Sequence, residues 1–492
     1  MKPSVSRRSF LARGMLGGAG MVILPSARSA WSYQANERLR LAIVGDMYVA
    51  GHFFSAGHAY DGLEIAALCH TDERKPAEML AAWRQRADAG AGAADAGERR
   101  AADYYRRLAD HPPPVFADFR RMLDTRGDGI DAVVTSVFDH LHGVVCGAAM
   151  RAGKHVFCER PLGLRPRESR ALRDLAARQG VATSIRNPGN ASGRFRRGVE
   201  LIREGTLGPI REVHVWFPRG GADHRQPPQD EHPVPERLHW DLWLGPAAWR
   251  PYHPAWMAYA QWRDFSNGGI GTFGPHAANL AFMGLKVHAL WEPAAHDATP
   301  AAIRVEAECS GINHLSFPLW ERVRWEVPAR AGLPPVTFTW HQGPAPELSP
   351  GSRTVIESLL EEHGVSRNER ARLLRTAGAL ILGSEGAMVS DDHNVDFTLL
   401  PEERFRDVEQ DGPTSLPASR GHYVDWLAAC RGGPPPWATF DYAAPLSEFL
   451  MLANVATRFE GPLDYNPLHG SIENHAEADA ALGYVYRKGW HL

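Results

Sequence analysis

The chain has 492 residues, more than a single hydrophobic core usually serves, so at least two compact units are expected. Hydrophobic residues make up 44% and charged residues 23%, an ordinary globular composition that excludes a disordered or fibrous chain. Lys and Arg (54) nearly balance Asp and Glu (57), and a formal net charge of −3 gives no electrostatic footprint for nucleic acid or an anionic membrane. Five cysteines (Cys69, Cys146, Cys158, Cys309 and Cys430) lie far apart with no C-x-x-C pair. That spacing argues against a zinc ribbon or disulfide scaffold and for thiols packed as small apolar groups.

The first element is an export signal. Ser6-Arg7-Arg8-Ser9-Phe10-Leu11 matches the twin-arginine motif, a weakly apolar run extends from Leu11 to Leu24, and small residues follow Pro25 as far as Ala30. Residues 1–30 are therefore expected to direct a folded protein to the periplasm. The apolar run is shorter than the roughly 20 residues a membrane span needs, so the mature form is expected to carry no membrane segment.

Strand-like apolar runs then alternate with helical patterns: strands at Leu39–Val44, Leu63–Cys69, Asp131–Val137, His155–Cys158 and Val181–Ile185. Between the second and third lies a helical stretch, Thr71 to Leu108, interrupted by an Ala/Gly/Asp-rich run (87–97) that reads as a surface insertion. This alternation predicts a doubly wound parallel sheet over residues 38–186. Beyond it, strands become denser at Ile210–Phe217, Ile303–Cys309, Arg322–Val327, Val336–Trp340 and Ala387–Ser390. They predict an α+β domain with a large open, mainly antiparallel sheet over 187–420. A charged helix is expected over Glu357–Thr376, and a C-terminal helical segment over 421–492 completes the fold.

The first strand ends at Gly45, followed by Asp46-Met47-Tyr48-Val49-Ala50-Gly51. A glycine turn entering a helix is where dinucleotide pyrophosphate binds, and Gly45, Ala50 and Gly51 fit it. Met47 stands where the fingerprint has its second glycine and should crowd the phosphates. His70 ends the second strand, where an acidic residue would hold the ribose; with Arg74 and Lys75 beyond it, a 2′-phosphate fits better than a bare ribose. The alternative for those charges is an ordinary solvated loop.

Two longer motifs carry more information: Thr135-Ser136-Val137-Phe138-Asp139-His140-Leu141-His142, and Gly153-Lys154-His155-Val156-Phe157-Cys158-Glu159-Arg160-Pro161. Further on come Trp240-Asp241-Leu242-Trp243-Leu244-Gly245-Pro246, Gly268-Gly269-Ile270-Gly271 leading to His276, and Tyr486-Arg487-Lys488-Gly489-Trp490. In this order the motifs resemble the Gfo/Idh/MocA oxidoreductases, the glucose–fructose oxidoreductase and inositol dehydrogenase family. The resemblance implies a Rossmann nucleotide-binding domain, a second domain with an open antiparallel sheet, and an active site in the cleft between them.

It also implies NADP or NAD as cofactor and a sugar, sugar derivative or cyclitol as substrate, its hydroxyl oxidised or its ketone reduced. Asp139, His142, Glu159 and Pro161 would lie along the cofactor. In the family a lysine after the motif glutamate and a D-x-x-x-H pair hold the reacting hydroxyl. Here those positions are Arg160, Thr272 and His276, so that only the histidine, the expected acid/base, is retained. Arginine donates hydrogen bonds but does not exchange a proton near neutral pH. A degenerate motif leaves an alternative reading: a cofactor-poor carbohydrate-binding protein, or a lyase or hydrolase, on the same scaffold. The Asp139-His140-His142 cluster is not expected to hold a metal. A homo-oligomer built on the exposed face of the second sheet is expected, as among relatives.

Overall fold

The computed structural model describes residues 38–46, 48, 51–53, 62–223, 225–293 and 301–492. The export segment 1–30 and two of the expected cofactor residues, Met47 and Ala50, lie outside them.

Six strands form the first sheet: β1 (Leu39–Gly45), β2 (Leu63–Cys69), β3 (Val115–Phe116), β4 (Ala132–Ser136), β5 (His155–Cys158) and β6 (Thr183–Ile185). Their order is β3-β2-β1-β4-β5-β6 and every pairing is parallel. β1, β2 and β4 are buried almost throughout, because helices cover both faces. Between β1 and β4 the strand order reverses, which opens a crevice at their C-terminal ends.

The second sheet has nine strands: β7 (Ile210–Phe217), β8 (Ile303–Cys309), β9 (Glu321–Val327), β10 (Val336–Gln342), β11 (Gly378–Gly383), β12 (Ala387–Ser390), β13 (Phe397–Leu400), β14 (Leu463–Asn466) and β15 (Ser471–Ile472). They run in the order β13-β12-β11-β7-β10-β9-β8-β14-β15, antiparallel except for the β7–β10 pair. Its inner face (Val213, Val215, Phe338 and Trp325 among others) packs on the helices Gly193–Arg203 and Phe440–Ala456, through Phe195, Leu446 and Phe449. Both sheets match the expected architecture.

Three expectations change. The run 87–97 is not one loop: the helix Arg74–Gly90 takes its first four residues, and Asp95 caps the helix Ala96–Asp110 by accepting from Gly97 N (2.8 Å) and Glu98 N (2.9 Å). Its small residues let two antiparallel helices approach, since a Cβ on Gly90 would lie 2.8 Å from that of Ala102. The C-terminal segment is not purely helical, because it supplies β14 and β15. Instead of one charged helix over 357–376 there are two, Ser352–Glu362 and Arg367–Leu373. The first buries Ile356 and Leu360 against Trp216, Leu380 and Val389, and so covers part of the outer sheet face expected to be open. On β8 and β9 that face carries Arg304, Glu306, Arg324 and Glu326 in register as opposite-charge pairs, a well-solvated ladder.

All five cysteines are unpaired, and among the described residues no helix is long and apolar enough to cross a membrane.

Candidate active site

The crevice at the ends of β1, β2 and β4 is a cleft of about 1180 Å³ including its open mouth. At its floor Gly45 has φ +96°, and a Cβ there would lie 2.3 Å from the Ser136 carbonyl oxygen. Only glycine permits that backbone and that approach of β1 to β4. The neighbouring Asp46 N donates to the same carbonyl at 2.6 Å.

At the β2 end, His70 Nδ1 accepts from Asp72 N at 2.8 Å, which leaves the imidazole proton on Nε2; burial lowers the tendency of this ring to charge. His70 is thus a neutral N–H donor lining the cleft. The two cations expected beside it are already engaged: Arg74 forks onto Asp72 (2.8 and 2.5 Å), and Lys75 pairs with Glu78 (2.9 Å). Asp72 is itself nearly buried and lines the cleft, so its carboxylate, rather than free guanidinium, faces the ribose end. The charge count of this loop suggested a phosphate site; Arg74 is held by Asp72, whereas Lys75 lines the cleft in an exposed pair with Glu78.

The opposite wall is made from residues far along the chain. Trp490 lines the cleft beside Phe119 (ring centroids 6.1 Å apart), with the Arg120 guanidinium 4.3 Å over its indole. Arg487 anchors this segment by donating to Gly245 O (3.0 and 2.8 Å) and Asp241 O (2.8 Å). Two of the sequence motifs, at 240–246 and 486–490, therefore meet and close the nucleotide end together. Trp243 also lines the cleft, and its buried Nε1 has no partner among the described residues. A buried orphan donor and a floor only glycine can form both fit a bound dinucleotide.

At the inner end stand Glu159 and Arg160, which follow β5. Arg160 donates from Nη1 to Glu159 Oε2 (2.9 Å) and from Nε to His276 Nε2 (3.2 Å), while its Nη2 bonds to no described residue. Glu159, only 4% exposed, also accepts from Tyr48 Oη (3.1 Å) and faces Arg186 Nε at 3.4 Å. Burial, then the Glu159 charge, pushes the Tyr48 phenol up to about 12. His276 sits near the end of the helix Gly268–Ala277, and its Nδ1 lies 3.3 Å from Asn187 Oδ1. Asn187 Nδ2 in turn donates to Pro275 O at 2.5 Å, which orients its oxygen toward the ring. The imidazole is therefore neutral with its proton on Nδ1. Burial, reinforced by Arg160, holds its pKa well below the ordinary histidine value.

Asp139 ties the two domains together here. Its Oδ2 accepts from Asn267 N (2.8 Å) and Ser266 Oγ (3.2 Å), fixing the start of the His276 helix against the nucleotide domain. Asp139 also lines the cleft, as expected of a residue beside the cofactor.

Other expected site residues stand elsewhere. Both ring nitrogens of His142 face backbone carbonyls, Pro161 O (2.7 Å) and Val137 O (3.1 Å), and those of His140 face Trp243 O (2.9 Å) and Phe265 O (3.4 Å). His142 and Pro161 therefore brace the wall without lining the cleft, and the Asp139-His140-His142 cluster offers no free imidazole nitrogen. Gly51 packs near the Arg86 guanidinium rather than on the cleft. Thr272 Oγ1 donates to Gly268 O (2.9 Å) within its own helix, which takes its hydroxyl away from His276.

A parallel sheet with a nucleotide cleft, joined to an antiparallel sheet domain that contributes a histidine, is the scaffold of a two-domain dinucleotide oxidoreductase. Residues 39–186 match the NAD-binding Rossmann fold of the Gfo/Idh/MocA oxidoreductase family, and residues 221–316 match its C-terminal alpha/beta domain. Together the two matches span about half of the chain, in the family's domain order. The chain is 27% identical over 133 residues to an uncharacterized oxidoreductase of Bacillus subtilis, covering 26% of this chain and 34% of that protein. It is 34% identical over 91 residues to the 1,5-anhydro-D-fructose reductase of Ensifer adhaerens, covering 18% and 27%. The matched parts thus span about a third or less of these relatives. The fold is also that of a dehydrogenase from Chromobacterium violaceum solved with NADH and UDP-GlcNAcA, with TM-score 0.52 and 14% identity over 90% of this chain and 99% of that one.

Proposed function

We propose that the protein is a nicotinamide-dependent oxidoreductase that oxidises a hydroxyl, or reduces the ketone, of a sugar, sugar derivative or cyclitol. The observation that carries this reading is the contact of Arg160 with His276 at 3.2 Å, at the inner end of a cleft whose glycine floor suits a dinucleotide. The bound nicotinamide would supply the hydride acceptor or donor. Arg160 Nη2 is the donor placed for the reacting oxygen, and Glu159 and His276 hold the guanidinium still. A fixed N–H aimed at an oxygen whose charge grows in the transition state lowers the barrier without reorganisation. The 1,5-anhydro-D-fructose reductase relative, which acts on a sugar, supports the substrate class. The cofactor-free alternative leaned on Met47, which lies outside the described residues, and nothing in the cleft favours it.

The test is to purify the protein natively, denature it and identify released nucleotide by mass spectrometry. Nicotinamide reduction is then followed with a panel of aldoses, uronates and cyclitols. Absence of both retained nucleotide and turnover would rule the reading out.

The pairing of Arg74 with Asp72 predicts NAD over NADP by at least about tenfold, since a 2′-phosphate would face a carboxylate and find no free guanidinium. Calorimetric titration with both nucleotides decides it, and equal affinities would contradict the assignment. Asp72→Ser, which frees Arg74, should narrow the gap.

We also propose that the protein is exported by the twin-arginine route, on the strength of the Ser6-Arg7-Arg8-Ser9-Phe10-Leu11 motif. Changing Arg7 and Arg8 to Lys should leave full-length precursor in the cytoplasm; unchanged processing would exclude this route.

A further inference from the structure

We propose that His393, paired with Asp392, is the group that takes up and returns the proton of the reacting oxygen, and that His276 is a neutral positioning residue for Arg160. The assignment rests on the oxidoreductase reading above and adds to it a catalytic pair that no motif contains.

The two histidines are adjacent and unlike. Their ring centroids are 4.7 Å apart, with the planes inclined by 34°. His276 is 2% exposed and both its nitrogens are engaged, Nε2 by the Arg160 N–H and Nδ1 by Asn187. A substrate hydroxyl can reach its lone pair only by displacing Arg160, and the resulting imidazolium would lie against a guanidinium. His393 has the opposite setting. Its Nδ1 is 2.7 Å from Asp392 Oδ1, its side chain is 41% exposed, and its Nε2 has no partner among the described residues.

A carboxylate on Nδ1 holds the proton there, leaves the Nε2 lone pair free and stabilises the imidazolium formed when Nε2 accepts a proton. Thr272 cannot offer such a carboxylate to His276, and Asp392 offers one to the neighbouring ring.

The pair is also held in place. It lies in the turn between β12 and β13, where Asn394 (φ +52°, 1% exposed) donates to Ser390 Oγ at 2.7 Å and accepts from Leu280 N at 2.9 Å. Leu280 follows the His276 helix directly, so both histidines share one anchor. Asp391 is occupied by Val395 N (2.8 Å) and Asp396 N (3.2 Å). Against the His393 ring lie Phe273 and His276, and its backbone approaches Gly189; His276 is the titratable group among them. In the oxidative direction the substrate O–H bond breaks with its proton going to His393 Nε2. The carbon-bound hydrogen leaves with its electron pair for the oxidised nicotinamide, and a C=O bond forms.

The test uses the full-length protein loaded with NAD and its variants H393Q, D392N and H276Q. Histidine-labelled NMR from about pH 5 to 9 should show His276 neutral throughout, with its resonance lost in H276Q. Oxidation of the best substrate in the sugar panel should lose about 10²–10⁴-fold in kcat in H393Q. Because the base must be unprotonated, the acidic limb of the pH profile of kcat should be lost in H393Q and kept in H276Q, and D392N, which removes the carboxylate that holds the ring, should lower kcat less than H393Q does. An H393Q that keeps most of its kcat, or an acidic limb that persists in H393Q and disappears in H276Q, would overturn the assignment alone. Absence of wild-type turnover across the panel would instead overturn the oxidoreductase reading, and this assignment with it.

Discussion

Replacing Gly45 by valine should yield a protein that retains no dinucleotide and melts several degrees below the parent. A side chain at φ +96° costs about 1–3 kcal/mol in backbone strain. Its Cβ would also stand 2.3 Å from the Ser136 carbonyl, an overlap worth roughly another 1–3 kcal/mol. Moving β1 away from β4 relieves that overlap only by disturbing the floor on which the pyrophosphate must rest. Calorimetry with NAD and a thermal melt test both parts. A variant that binds NAD like the parent would show that the phosphates lie elsewhere.

Arg160→Met should lower kcat by roughly 10²–10³-fold, the usual effect of removing one fixed donor from a developing oxyanion, with nucleotide affinity nearly unchanged. The loss has two parts. Nη2 no longer meets the reacting oxygen, and Glu159, 4% exposed, keeps only Tyr48 and the more distant Arg186 as partners. Arg160→Lys is the sharper variant. A single ammonium reaches Glu159 or His276 but cannot replace the guanidinium that spans both, so an intermediate rate is expected. A lysine variant as fast as the parent would mean that charge, not the fork, is what the site requires. These kinetics need the substrate first; single-turnover mixing with excess substrate then separates chemistry from binding.

How far the sequence reached depended on what each residue does. Continuous apolar runs identified β1, β2 and β4, because a strand buried on both faces has no polar side to show. Gly45 was located by the strand-to-helix turn, and Glu159, Arg160 and His276 by the resemblance of their motifs; the fold brings those last three together. The setting of His142 was not legible, since spacing does not distinguish an imidazole turned to a cleft from one turned to the carbonyls of Pro161 and Val137. Arg74 and Lys75 show a related limit of spacing: a charge can be counted in a sequence, but its partner cannot, and Asp72 and Glu78 pair with them here. Asp392 and His393 gave no signal at all. They lie in a short turn of the second domain, and only folding brings that turn beside the helix bearing His276.

The wall formed by Trp490 has a consequence for how the protein acquires its cofactor. The hydrogen bond between Arg120 and Gly489 joins positions 369 residues apart. At about 5–20 residues per second, a ribosome needs roughly 20–70 s to pass from one to the other. During that interval the nucleotide domain can assemble its sheet, but its pocket lacks one side. Tight cofactor capture is thus expected only from a chain whose second domain has already emerged. A fragment cut after residue 186 would carry the whole glycine turn and still make a poor nucleotide binder.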